Sequence, residues 1–370
     1  MPLTIAPADV ANKFQVCCEQ DGAQMTRGNE RRTVGALLLV WCWIVMAPLP
    51  SSAQGHSRMV TDMAGRAVSL PPVVERVAAV GSVPVIHSFI FTMGKADTIV
   101  NGLPLFAQGK RYDIHRLFAP KVATQPTTQG PGGEPDMERL LELKPQVVFV
   151  MDKMLLNMLE RKGFTVVFLA WRQPDDVRTL MTLLGHIFHR EERAAAYLEW
   201  FDETVRRVQA GLHDHPQVVR PRVLFASMKS MRSPHLIGDW WIQQAGGVSV
   251  TADGRESERF DFSIEHMIQW NPDVLIVNDP GEVEQVYKDQ RSRYVKAVQA
   301  GRVFSIPVGA HPWGYRTAEQ PLMVIWAANR LYGDGFAGLN LMEEMQQFYR
   351  RFFNVQLTDD QLRMILNGGA

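Results

Sequence analysis

The sequence predicts an α/β protein of two similar lobes joined by a single long helix. Three observations carry this. Apolar strands alternate with helical stretches along most of the chain, the pattern of layered α/β structure. One unit recurs without gaps, MERLLELKPQVVFVMD at 137–152 and IEHMIQWNPDVLIVND at 264–279. Between the copies, 174–212 places Val177, Leu180, Met181, Leu184, Ile187, Ala194, Leu198, Phe201, Val205, Val208 and Leu212 at three- and four-residue spacing. That spacing is one apolar stripe on a helix.

In chain order, 60–70 predicts a small hairpin around Asp62 and Gly65-Arg66, 76–81 a buried strand, 84–93 a helix and 98–100 a short strand. Residues 101–136 are rich in Gly, Pro, Thr and Gln, lack a clear period and read as loop. Then come helix 137–143, strand 146–151, helix 154–162 and strand 165–171. Pro174 suits a first helical position, and Asp175 and Asp176 suit the positive end of the helix dipole. Gly185 and His189-Arg190 mark a candidate break in the long element. Beyond it the pattern restarts: strand 222–227, helix 239–245, helix 264–270, strand 274–278, helix 292–300 and strand 302–306. Helices 318–331, 341–353 and 359–366 follow, the last capped by Thr358. In the repeat, Glu138 aligns with Glu265, Pro145 with Pro272 and Asp152 with Asp279. The boundaries expected are 1–53 leader, 54–173 first lobe, 174–212 bridge and 213–370 second lobe with a helical tail.

Length and a hydrophobic content of 46% allow a sizeable core. Lys plus Arg and Asp plus Glu each number 39, so nothing in the net charge favours nucleic acid. Arg27, Arg31 and Arg32 precede the apolar run 34–49, and Ser51-Ser52-Ala53 offers a cleavage site, the layout of an export signal. Met25 is the more ordinary start, so 1–24 read as a mis-assigned beginning. The run is short for a span and ends in Pro48 and Pro50, against a retained anchor. Cys42 follows Trp41, which argues against lipidation, and with Cys17 and Cys18 it lies before the cleavage site. The exported chain would then hold no disulfide and no cysteine nucleophile.

The stretches ERVAAVG, EPDMERLLELKPQVVFV, PDDVRTLMTLLGHIFHREERAAAYLEWFDETVRRV, FSIEHMIQWNPDVLIVN and AGRVFSIP, in this order and spacing, resemble the periplasmic substrate-binding proteins of ABC importers for iron-siderophores, haem, cobalamin and related metal chelates. The resemblance implies two α/β lobes, one rigid bridging helix, a ligand cleft between the lobes and only modest closure. It implies a monomer with no intrinsic cofactor that carries a metal chelate, an iron complex first, to a permease dimer with its ATPase. It also implies permease docking by one glutamate per lobe, here Glu138 and Glu265.

In open α/β sheets the carboxyl ends of the strands face the binding crevice. The richest such segment is GAHPWGYR, with His311, Trp313, Tyr315 and Arg316. A guanidinium suits chelate carboxylates, aromatic faces suit the organic part, and His311 could ligate an open metal position. Trp171, Arg172 and Lys229 stand at other strand ends. Trp313 and Tyr315 read equally as wall packing, and Arg316 could instead pair with Glu319. His115, His186, His189, His213, His215, His235 and His266 read as surface or internally satisfied. No P-loop, GxGxxG, GxSxG or HExxH motif occurs. Two alternatives stand beside the iron chelate: a molybdate, other oxyanion or Ni/Co-chelate binder of the same superfamily, or a tetrapyrrole metal chelatase using His311 as base.

Overall fold

The computed structural model describes residues 57–369, apart from 174, 216 and 218. The expected leader 1–53, its arginines and all three cysteines lie outside the described residues. The chain opens with an antiparallel hairpin, β1 (Arg58–Thr61) and β2 (Ala67–Leu70). Asp62 shapes its turn by accepting from the N–H groups of Ala64 and Arg66, both at 3.0 Å.

Then follow β3 (Val77–Val80), α1 (Val83–Thr92), α2 (Asp113–Phe118), α3 (Met137–Leu143), β4 (Val147–Val150), α4 (Lys153–Arg161) and β5 (Val166–Phe168). The strands form a parallel sheet in the order β3-β4-β5. Expected strand 98–100 is instead a 3-10 turn, Ala96–Thr98, followed by an isolated parallel bridge from Ile99 to Val77.

The stretch expected to be one rod over 174–212 is two helices, α5 (Asp176–Phe188) and α6 (Glu191–Asp214). His189 ends α5 in the left-handed region, φ 53°, at the position marked as a candidate break. α5 packs on β1 and α1, and α6 packs on α1 as well as on α7 and α11. The second lobe contains β6 (Arg222–Ala226), β7 (Arg232–Ser233), α7 (His235–Gln244), β8 (Val248–Ser249), β9 (Phe260–Asp261), α8 (Ile264–Trp270), β10 (Val274–Val277), α9 (Pro280–Lys288), α10 (Lys296–Gln299) and β11 (Val303–Ser305). Its main sheet is parallel, order β11-β10-β6-β8. The tail supplies α11 (Gln320–Tyr332), α12 (Leu341–Phe352) and α13 (Asp359–Leu366), the last with a Thr358–Gln361 capping box.

The repeat is structural. Asp136 and Ser263 cap α3 and α8, and both helices end in a left-handed residue, Lys144 (φ 46°) and Asn271 (φ 42°). Proline then starts the run into β4 and β10, each lying inside its sheet. Asp152 and Asp279 match because each caps the next helix, α4 and α9.

Both sheets are apolar on both faces, as parallel strands covered by helices must be. Ala78, Val80, Val148 and Val150 face α3 and α4, and Leu224, Ala226, Leu275 and Val277 form the outer core of the second sheet. Val77, Ala79, Val147 and Phe149 share one continuous core with Val223, Phe225, Val274 and Ile276, through α5, α6, α11 and α12. Phe118 stacks on Tyr349 at 5.0 Å and meets Phe353 edge-on at 4.8 Å, so α12 packs against the first lobe. Arg193 of α6 ties the ends of α1 and α12 together, donating to Thr92 O at 2.6 Å and Phe352 O at 2.9 Å. No helix among the described residues is long and apolar enough to cross a membrane.

Candidate functional site

The carboxyl ends of the two parallel sheets carry the loops that meet between the lobes. Two buried carboxylates shape those of the second lobe. Glu282, in the first turn of α9, accepts from Ser227 Oγ (2.7 Å) and from the N–H groups of Met228 (3.1 Å), Lys229 (3.1 Å) and Asn278 (3.0 Å). It thereby ties the loop after β6 to the loop after β10. Glu319, just before α11 and fully buried, accepts from Ala310 N–H (2.9 Å), His311 N–H (3.3 Å), Thr317 Oγ1 (2.9 Å) and Tyr349 Oη (2.6 Å). Burial raises its carboxyl pKa, and these four donors pull the other way. Gly309 is required here, since a Cβ would collide with the Glu319 carboxylate and the Tyr349 hydroxyl.

The first lobe contributes from within the expected loop 101–136. A 3-10 turn, Lys110–Tyr112, leads into the six-residue α2. Arg111 donates from its guanidinium to Asn278 O across the lobe boundary, and its Nε is buried without a partner. The Asn278 side-chain oxygen and His311 Nδ1 are likewise buried and unpartnered. Tyr112 lies 6.4 Å, ring to ring, from His311, which lies 6.1 Å from Tyr315. Phe106, 66% exposed, extends this series outward, edge-on to Tyr112 at 6.5 Å.

His311 is held neutral, its pKa lowered to about 3 by burial and then by Arg111 and His115. Tyr315 is pushed up to about 12, chiefly by burial, with Glu282 and Asp279 acting the same way and Arg111 opposing. The site is thus a neutral imidazole and two phenols around one guanidinium. Such a set can hold an anionic oxygen on Arg111 and lay aromatic faces against a small body. Among the described residues no group of three or more His, Cys, Asp or Glu is arranged to hold a metal ion.

The structure brings His311 and Tyr315 together with Arg111 and Tyr112, which sequence reasoning missed. Arg316 does not pair with Glu319; its guanidinium meets Glu258 at 3.2 Å and Arg172 O at 3.5 Å. Arg172 and Lys229 are exposed. Trp313 is fully buried in the core, and Trp171, 3% exposed, packs on Phe89 at 5.2 Å. Both tryptophan rings are thus buried, and the aromatic rings placed beside His311 are Tyr112 and Tyr315. Glu138 and Glu265 are exposed in the first turns of α3 and α8.

Two parallel α/β lobes with polar strand-end loops converging between them define a solute-binding architecture. The chain belongs to the periplasmic binding protein family, whose model matches residues 104–308. It is 24% identical over 353 residues to the molybdate-binding protein MolA of Haemophilus influenzae, covering 87% of this chain and 97% of MolA. MolA bound to molybdate superposes with a TM-score of 0.71 at 22% identity, over 81% of this chain and 99% of that one. A periplasmic solute binding protein of Veillonella parvula gives 0.72 at 24% identity, over 84% and 97%. The Helicobacter pylori CeuE structure described as a Ni-His complex gives 0.67 at 17% identity, over 84% and 99%. At these identities the structures establish the shared two-lobed fold.

Proposed function

We propose that the protein captures a compact, anionic, metal-containing solute between its lobes and hands it, chemically unchanged, to an inner-membrane ABC importer. The observation that carries this is the convergence of Arg111 from the first lobe with His311 and Tyr315 from the second. The aromatic series Phe106, Tyr112, His311, Tyr315 favours a cargo with an organic body, hence a small metal chelate, with iron as the first metal to test. Direct contacts across the boundary, Arg111 to Asn278 O and His115 to Ala310 O (2.7 Å), favour a compact complex over a bulky siderophore. The likeness to MolA across most of both chains supports a second reading, a bare molybdate-like oxyanion on Arg111.

In this reading residues 1–53 are the export leader, α6 is the bridge and the protein works as a monomer. Glu138 and Glu265 stand at the same place in the repeated unit, one per lobe, and dock on cationic residues of the permease. Titration calorimetry against molybdate, tungstate, ferric citrate, a ferric hydroxamate, nickel-histidine, haem and cobalamin tests the cargo. Arg111→Met should abolish binding of whichever anion is taken. Tight binding only of uncharged or cationic solutes would refute the assignment.

A further inference from the structure

The backbone of Ala310 is gripped from both lobes. Its N–H donates to Glu319 Oε1 (2.9 Å) at the head of α11, and its carbonyl accepts from His115 Nδ1 (2.7 Å) on α2. A carbonyl can only accept, so His115 carries its proton on Nδ1. Its Nε2 is therefore the acceptor for His87 Nδ1–H of α1, 3.2 Å away. Both histidines are fully buried, and Phe91 stands edge-on to His115 at 4.9 Å. The His115 tautomer is thus fixed by the loop carbonyl on one side and by His87 on the other. Glu319 also takes His311 N–H, so the two backbone amides before the His311 ring are turned inward onto a carboxylate. They are spent on the protein, and the imidazole is left as the polar group of this loop beside Tyr112 and Tyr315.

We infer that His115 and Glu319 are positioning residues for His311, coupling the second lobe's binding loop to the first lobe through the Ala310 peptide. Neither touches cargo. His87 serves as orienter of His115. This inference rests on the binding site proposed above, but its first readout does not need cargo. Removing the His115 donor leaves Ala310 O unpaired at the boundary and lets the loop drift from the first lobe. In Glu319→Gln the oxygen can stay toward Ala310 N–H and Tyr349 Oη, and Thr317 Oγ1 can rotate to accept from the new NH2, so His311 N–H alone is opposed by a donor and that residue is pushed from its place.

Two measurements on the same proteins test this. Imidazole nitrogen resonances of His311 are recorded for wild type, His115→Leu, His115→Asn and Glu319→Gln. Leu184→Ala, in the α5 core, serves as a control for general loosening, and Tyr349→Phe as a milder loss of one Glu319 donor should Glu319→Gln not fold. Affinity for molybdate and for ferric citrate is measured on each. The expected result is a displaced or broadened His311 signal in His115→Leu and Glu319→Gln, with binding of the accepted probe weakened about tenfold, the scale of one lost hydrogen bond. His115→Asn, whose amide can stand in for Nδ1–H, restores both, and Leu184→Ala moves neither. Unmoved His311 signals in His115→Leu and Glu319→Gln, or equal effects from Leu184→Ala, would overturn the inference. Failure of wild type to bind either probe would count against those two cargoes and leave the resonances to judge the positioning.

Discussion

Glu282→Gln offers a direct measure of how strongly the second lobe's loops depend on one buried carboxylate. Oε1 accepts from Ser227 Oγ and Lys229 N–H, and Oε2 from Met228 and Asn278 N–H. An amide keeps only one of these oxygens. With the oxygen toward Met228 and Asn278, the Ser227 hydroxyl can rotate to accept from the new NH2, and Lys229 N–H alone is stranded. An unpaired buried donor costs about 1–3 kcal/mol, and the two surviving bonds lose their charge assistance at roughly 1 kcal/mol together. The sum is about 2–4 kcal/mol. Glu282→Ala, which strands all four donors, should cost about 3–5 kcal/mol, moderated by water entering the space. Urea unfolding followed by tryptophan fluorescence reads both, with unchanged slope marking an unchanged denatured state. A loss under about 1 kcal/mol in Glu282→Gln would mean that those loops are held by something other than this carboxylate.

Arg193→Ala removes the guanidinium that meets Thr92 O, Phe352 O, Arg351 O (3.0 Å) and Asn354 Oδ1 (3.0 Å), and should lower stability by about 2–3 kcal/mol in calorimetry, since carbonyls near the surface regain water. Glu138→Arg with Glu265→Arg should leave cargo affinity in solution unchanged and abolish uptake in cells, tested by calorimetry beside a radiolabelled-cargo assay. His115 is buried with its pKa lowered to about 4, so the unfolded chain binds its proton first. Its contribution is complete above pH about 6.5 and is lost as pH falls toward 4, on the order of 2 kcal/mol gone by pH 5. Unfolding midpoints at pH 7 and 5 should therefore converge in His115→Asn relative to wild type.

The repeated units were legible because each feature is local. Helical spacing in 137–143 and 264–270, a proline stop and a short apolar run suffice to specify helix, turn and buried strand. The break at His189 was visible for the same reason, as Gly185 and His189-Arg190 interrupt the stripe. The first lobe's half of the candidate site, Arg111 and Tyr112, was not. It lies in a three-residue turn, too short to show a period, and the six-residue α2 that follows is held by distant partners, Phe118 on Tyr349 among them. The burial of Trp313 and Trp171 was not legible, because an aromatic at a strand end can turn either way. Arg316 found Glu258 rather than Glu319, its neighbour in sequence, because Glu319 was already taken by the loop it supports. Charged residues at helix starts ordinarily meet water, so Glu282 in the first turn of α9 and Glu319 just before α11 gave no local sign that loops would fold over them.

The return of α12 onto the first lobe has a consequence for how the molecule comes apart. Chain order alone suggests two pieces that could be expressed separately and rejoined. Yet Phe91, Phe118, Tyr349 and Phe353 meet across that division, so a fragment ending before residue 341 would leave a broad aromatic surface wet on the amino-terminal half. Neither half should mature alone, and melting should proceed as a single cooperative event.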